Sequence, residues 1–244
     1  MQLIPVVDVM GGVVVRAVRG ERASYRPIES ALCRSIDPVE VAQRLVAHCA
    51  ARIVYVADLD ALRGGLPQRG VVRSLCAALP GVTVWLDGGF ATASAAATAC
   101  DDLATVAPSP LAGRAPASCA PVVPVYASES LASPAALAEC CRREGAVLSL
   151  DRRGAERLDR AGAWDTPSLW PPQVVVMTLE RVGSSAGPDV VTIAALQSRS
   201  PATRLYGAGG IRDERDLALA ARAGAAGWLV ASALHDGAVP ARGA

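Results

Sequence analysis

Short continuous runs of apolar residues alternate along this chain with longer Ala-rich stretches whose apolar residues keep to one helical face. The runs fall at residues 4–9, 53–57, 82–86, 122–126, 146–150, 174–177, 204–206 and 227–230, and read as strands buried on both faces. A further short extended piece follows the first run, at residues 13–18. Helices are predicted from residue 38 and over 69–79, 91–100, 134–144, 190–198 and 213–223. The first of these carries Val39, Ala42, Leu45, Val46 and Cys49 on one face behind Asp37-Pro38, an N-cap with a proline in the first turn. Pro80-Gly81 and Gly224 supply stop signals.

Apolar strands alternating with amphipathic helices indicate a parallel sheet covered by helices. Eight such units in 244 residues suggest a closed (β/α)8 barrel, an α/β fold that usually needs about 250 residues. An open dinucleotide-binding sheet wants G-x-G-x-x-G after its first strand, whereas Met10-Gly11-Gly12 leads here into another extended piece. One barrel domain over 1–244 is expected, with an irregular insertion at 101–124 holding prolines 108, 110, 116, 121 and 124 before strand four. Two half-barrel repeats are visible. Trp85-Leu86-Asp87-Gly88-Gly89-Phe90 echoes Tyr206-Gly207-Ala208-Gly209-Gly210-Ile211, and Tyr126-Ala127-Ser128 echoes Val230-Ala231-Ser232.

Composition narrows the chemistry. Apolar residues make up 52% and charged residues 19%, enough for a large core. All 24 basic residues are arginine, which rules out Schiff-base lysine chemistry and a P-loop lysine. Only His48 and His235 are present, so a multi-histidine metal site is not expected. A net charge of +1 points to neither nucleic acid nor a membrane surface as partner, and the apolar run at 225–234 is too short to span a bilayer. Seven cysteines without a C-x-x-C pair and an N-terminus without signal-peptide features predict a cytoplasmic protein with reduced thiols.

In a barrel the C-terminal strand ends converge on one face and carry the site. Gly209-Gly210 with Ala231-Ser232, after strands seven and eight, is a candidate phosphate site, and Gly88-Gly89 with Ser128 is its counterpart across the mouth. Two such sites suit a substrate with a phosphate at each end. Asp8 and Asp151, on strands one and five, are placed to divide acid and base roles on one substrate.

The run from Ile4 to Gly12, followed by Val15-Arg16-Ala17-Val18-Arg19-Gly20-Glu21, resembles the opening of the HisA/HisF family of histidine-biosynthesis barrels. Val56-Ala57-Asp58-Leu59-Asp60-Ala61 resembles its second strand, and Gly207-Ala208-Gly209-Gly210-Ile211-Arg212 and Leu229-Val230-Ala231-Ser232 its last two. The resemblance implies a cofactor-free, metal-free isomerase that performs an Amadori rearrangement, aldose to ketose, on a bis-phosphorylated aminoribosyl compound (ProFAR). It implies Asp8 as general base and Asp151 as the acid at the ring oxygen, with Arg16 and Trp164 as further substrate contacts.

The chain also departs from the pattern. The family's strand-six loop carries Asp-Gly-Thr, and here the segment is Thr178-Leu179-Glu180-Arg181-Val182-Gly183-Ser184-Ser185, leaving Thr178 and Glu180 as the catalytic candidates. Ten residues after Leu234 are too few for a full closing helix, so a second subunit or the insertion is expected to cover the barrel beside strands eight and one. The alternatives to the histidine-pathway reaction are a divergent barrel acting on another phosphorylated intermediate, in one-carbon cofactor metabolism of the methanopterin type, and a non-catalytic phosphate-ligand-binding barrel.

Overall fold

A computed structural model describes residues 1–104 and 119–242. Eight strands form one parallel barrel: β1 (Gln2–Met10), β2 (Ile53–Asp58), β3 (Thr83–Asp87), β4 (Val122–Ala127), β5 (Val147–Arg153), β6 (Gln173–Thr178), β7 (Arg204–Ala208) and β8 (Gly227–Val230). Each pairs with the next, and β8 closes on β1 through Gln2 opposite Gly227 to Pro5 opposite Val230. The longer helices are α1 (Pro38–Cys49), α2 (Arg69–Ala78), α3 (Ala93–Ala104), α4 (Pro134–Cys141), α5 (Val190–Arg199) and α6 (Glu214–Arg222), with single turns at Leu59–Leu62 and Ser232–His235. The predicted strands and helices are all present with ends shifted by a few residues, because caps rather than periodicity fix where an element stops. Asp37, for example, accepts hydrogen bonds from the N–H groups of Val39 and Glu40 at the head of α1.

Side chains alternate across each strand, so every strand feeds two cores. Inside the barrel every strand contributes to a packed layer through Ile4, Tyr55, Trp85, Val125, Val147, Val175, Tyr206 and Leu229. Trp85 and Tyr206, which occupy matching places in the two half-barrels, meet edge to face with ring centroids 5.1 Å apart. Between barrel and helices lies the larger layer, with Leu3, Val7, Val54, Leu148 and Trp228 among its buried residues.

Three regions depart from a regular barrel. No α-helix joins β5 to β6; a short hairpin (Glu156–Arg157 against β5) and two 3-10 turns bury Trp164 and Trp170 instead. The insertion expected over 101–124 is shorter than that at both ends, since α3 runs to Ala104 and β4 starts at Val122, while residues 105–118 lie outside the described residues. After β8 there is one helical turn, Ser232–His235. The chain's own tail then packs beside the barrel wall for which a second subunit or the insertion was expected as cover. Val239 is buried in the outer core, its carbonyl accepts from His48 Nε2 at 2.8 Å, and Arg242 N–H donates to the His48 carbonyl at 2.9 Å.

The seventh strand shows how tightly that wall is packed. A Cβ on Gly207 would lie 2.3 Å from the Trp228 ring. Gly207→Ala is therefore expected to destabilise the fold by about 1–3 kcal/mol, the usual cost of overpacking. Gly70→Ala on α2, where a Cβ meets nothing within 4 Å, is expected to be neutral or slightly stabilising. Urea midpoints of the two variants check this.

Candidate active site

The C-terminal strand ends surround a cavity, open to solvent, with about 930 Å³ of space between its walls. The inward parity that plugs the barrel continues upward along the strands. Past Ile4 and Val6 it presents Asp8, past Trp85 it presents Asp87, and past Val147 and Ser149 it presents Asp151. Strand chemistry thus carries three carboxylates into one space. Glu129 and Arg22 reach it from the loops after β4 and β1, and bond to each other at 2.5 Å.

These carboxylates are held differently. Asp151 accepts from the Ser149 hydroxyl at 2.7 Å, the Ser128 hydroxyl at 3.2 Å and the Glu129 N–H at 3.2 Å. Asp87 accepts from the Tyr55 hydroxyl at 2.8 Å and the Gly89 N–H at 3.3 Å. Asp8 accepts no side-chain hydrogen bond among the described residues. Burial, then the Asp87 charge, raise the Asp8 carboxyl to about 7, against a smaller opposing effect of Arg22. Burial, then Glu129, raise Asp151 to about 7, although the Ser149 bond pulls it down. Burial raises Asp87 to about 6 against the Tyr55 bond. Groups tuned this close to neutrality suit proton transfer.

The other wall has no carboxylate. Gly183, Ser185, Gly209, Gly210, Ala231 and Ser232 form it, from the loops after β6, β7 and β8. Gly210 is at φ +83°, and a Cβ there would lie 2.0 Å from the Gly187 carbonyl. The second glycine is thus required by the close approach of the β6 and β7 loops. The β1 loop is tied across the mouth: Arg19 N–H donates to the Val182 carbonyl at 2.7 Å, and Arg153 donates to the Gly20 carbonyl at 3.3 Å.

Of the residues singled out from sequence, Asp8, Asp151, Gly209, Gly210, Ala231 and Ser232 line this one cavity. The others do not. The Gly89 N–H is turned to the Asp87 carboxylate, and neither Gly88 nor Gly89 reaches the cavity wall. Ser128 is fully buried, its hydroxyl shared between Asp151 and the Leu158 carbonyl at 2.8 Å, so it braces a carboxylate instead of facing an anion. Thr178 is buried and donates to Asp189 at 2.9 Å. Glu180 lies in the 3-10 turn after β6, off the cavity, with Oε2 buried and without a hydrogen-bond partner. Trp164 is buried beneath the β5 loop, with Nε1 on the Asp151 carbonyl at 3.2 Å and Arg157 stacked over its ring. Arg16 is turned away to Asp236, bracing the turn after β8. Arg22, Tyr25 and Tyr55 line the cavity without having been singled out. Tyr55 was within reach, since it shares inward parity with Ala57 on β2, whereas Arg22 and Tyr25 sit in a loop without period. Among the described residues no group of His, Cys, Asp and Glu is arranged to hold a metal ion, and no helix is long and apolar enough to cross a membrane.

A closed parallel barrel with carboxylates and a Gly/Ser wall at its C-terminal strand ends is a (β/α)8 barrel that keeps its site on the fold's usual face. The chain belongs to the histidine biosynthesis protein family, which it matches over residues 2–240. Among its relatives is an isomerase of 1-(5-phosphoribosyl)-5-((5-phosphoribosylamino)methylideneamino)imidazole-4-carboxamide from Herpetosiphon aurantiacus, 30% identical over 97% of this chain and 94% of the relative. The isomerase of the same name from Thermus thermophilus is 30% identical over 97% and 95%. An uncharacterised protein of Methanocaldococcus jannaschii is 24% identical over 97% and 94%.

A carboxyl whose folded pKa lies above its unfolded value favours folding while protonated and opposes it as pH rises through the folded value. Asp8, at about 7 against 3.8, costs the fold most above pH 7 and nothing below about pH 4. Asp8→Asn is therefore expected to raise the melting temperature by several degrees at pH 8, with the gain shrinking steadily toward pH 4. Paired thermal melts across that range test the sign.

Proposed function

We propose that the chain is a HisA-like sugar-phosphate isomerase that performs an Amadori rearrangement on a phosphorylated aminoribosyl compound. The observation that supports this best is the pairing of Asp8 and Asp151 in one cavity, both near neutrality and on opposite strands of the barrel. In this reading Asp151, protonated, delivers its proton to the ring oxygen as the sugar opens to an iminium. Its three hydrogen bonds hold that carboxyl in place. Asp8, ionised and unencumbered, then removes the proton from the second carbon of the sugar to give an enaminol; a proton is returned to the first carbon as the hydroxyl on the second gives up its own, leaving the ketose. The wall of Gly209, Gly210, Ala231 and Ser232 holds the phosphate through backbone N–H groups and the serine hydroxyl. No lysine is needed for any of these roles.

A second reading keeps the chemistry and changes the substrate. The segment from Thr178 to Ser185 stands where the resembled family carries Asp-Gly-Thr, and its Val182 lines the cavity as an apolar side chain. The Gly88-Gly89 pair also lies off the cavity wall. Both observations favour a divergent aminoribosyl phosphate over ProFAR itself.

The test is ketose formation from ProFAR and from a simple N-substituted ribosylamine 5-phosphate, with Asp8→Asn and Asp151→Asn alongside. Whichever compound is isomerised, Asp8→Asn is expected to lower kcat/KM by about a thousandfold, within the range for loss of a general base. Turnover of ProFAR supports the first substrate, and turnover of the simple compound alone supports the second. Turnover of neither, or turnover indifferent to both substitutions, rejects the isomerase reading.

A further inference from the structure

The two walls of the cavity differ in charge. The wall from β6 to β8 presents glycine, alanine and serine and no carboxylate. The wall from β1 to β5 presents Asp8, Asp87, Glu129 and Asp151. Arg22 is the one cationic side chain lining the cavity among the described residues, and Glu129 already holds it at 2.5 Å. A group docking on the acidic wall thus meets up to four negative charges and one paired positive charge.

The groups that were expected to hold a second phosphate there are committed elsewhere. Gly89 N–H is bonded to Asp87, and the Ser128 hydroxyl is buried between Asp151 and Leu158. Asp8, by contrast, faces the cavity with no hydrogen-bond donor of its own among the described residues, which leaves its oxygens open to a donor on the ligand. At separations of a few ångströms and in a partly desolvated site, the sign of the ligand's charge dominates over its shape.

Resting on the isomerase reading, we propose that the substrate carries a single phosphate, held by the Gly209–Ser232 wall, and a protonated nitrogen at its opposite end, held by Asp87 and Glu129. The substrate class is an amino sugar monophosphate, not a sugar bisphosphate. The raised Asp87 carboxyl fits this picture. Asp87, at about 6, is kept from full ionisation by burial and by the neighbouring Glu129 charge, and an incoming cation relieves it.

Calorimetric titration of the whole chain at neutral pH tests this with three probes: ribulose 5-phosphate, 1-amino-1-deoxyribulose 5-phosphate and ribulose 1,5-bisphosphate. The amine is expected to bind about tenfold or more tighter than ribulose 5-phosphate, and the bisphosphate weakest of the three. Glu129→Gln removes one carboxylate and frees Arg22, so it is expected to erode the preference for the amine and to narrow the bisphosphate's disadvantage. Asp87→Asn is expected to erode the amine preference as well. Glu129 lies at the cavity rim outside the barrel plug, so its variant remains informative if Asp87→Asn fails to fold. A bisphosphate that binds as tightly as the amine, three probes that bind alike, an amine that does not bind, or a preference untouched by Glu129→Gln overturns the proposal. The readout is binding. Loss of the isomerase reading is therefore seen separately, as absent ketose formation with the amine preference intact.

Discussion

The pairing of the last strand with the first governs everything else in this molecule. Once Gln2–Pro5 lies beside Gly227–Val230, the sheet has an inside, and the period-two alternation of every strand gains a fixed meaning. Ile4, Tyr55, Trp85 and their counterparts fill that inside and shut it to water. Farther up the same inward rows, β1, β3 and β5 carry aspartates. Their location follows from strand closure alone, and so does their electrostatic cost: three carboxyls held together over a dry plug cannot all ionise as freely as they do in water. The proton-transfer capacity of the site and its penalty at high pH have this one origin.

This explains which parts of the structure were legible in the sequence. Strand and helix order, the barrel and the inward aspartates were legible because periodicity encodes them directly. Asp8 sits at a strand end behind an apolar run, and nothing but the inside of the barrel is available to it. Arg16, by contrast, belongs to a short hairpin, where one turn of backbone decides whether a side chain faces the cavity or Asp236. Thr178 has outward parity at the end of β6, and the capping carboxylate of Asp189 takes its hydroxyl. Trp164 is drawn down by burial, because the β5–β6 connection has no helix and needs a large ring to seal the barrel there. In each case a local polar or apolar partner, distant by a loop of unpredictable path, outcompeted the cavity.

The wall after β8 is a case of the same kind. An external cover was expected there, from a second subunit or from the insertion. A helix is only one way to bury an apolar wall. A tail that inserts Val239 and hydrogen-bonds through His48 and Arg242 also packs against it, because α1 offers a terminal carbonyl and an imidazole at its C-terminal end.

The half-barrel repeat accounts for the charge difference between the walls. Gly88-Gly89 and Gly209-Gly210 occupy equivalent places, and Trp85 and Tyr206 still meet at the centre of the barrel. The decisive difference is the residue before each pair: Asp87 in one half, Ala208 in the other. An alanine leaves the following loop without a competing charge in front of it. An aspartate both takes the Gly89 N–H for its own carboxylate and adds negative charge to the wall. In a chain whose basic residues are all arginine, the one lining the cavity among the described residues is already paired to Glu129, so it offsets that charge only in part. One position in the repeat thus gives two equivalent glycine turns different surroundings, one beside an acidic wall and one beside an uncharged wall.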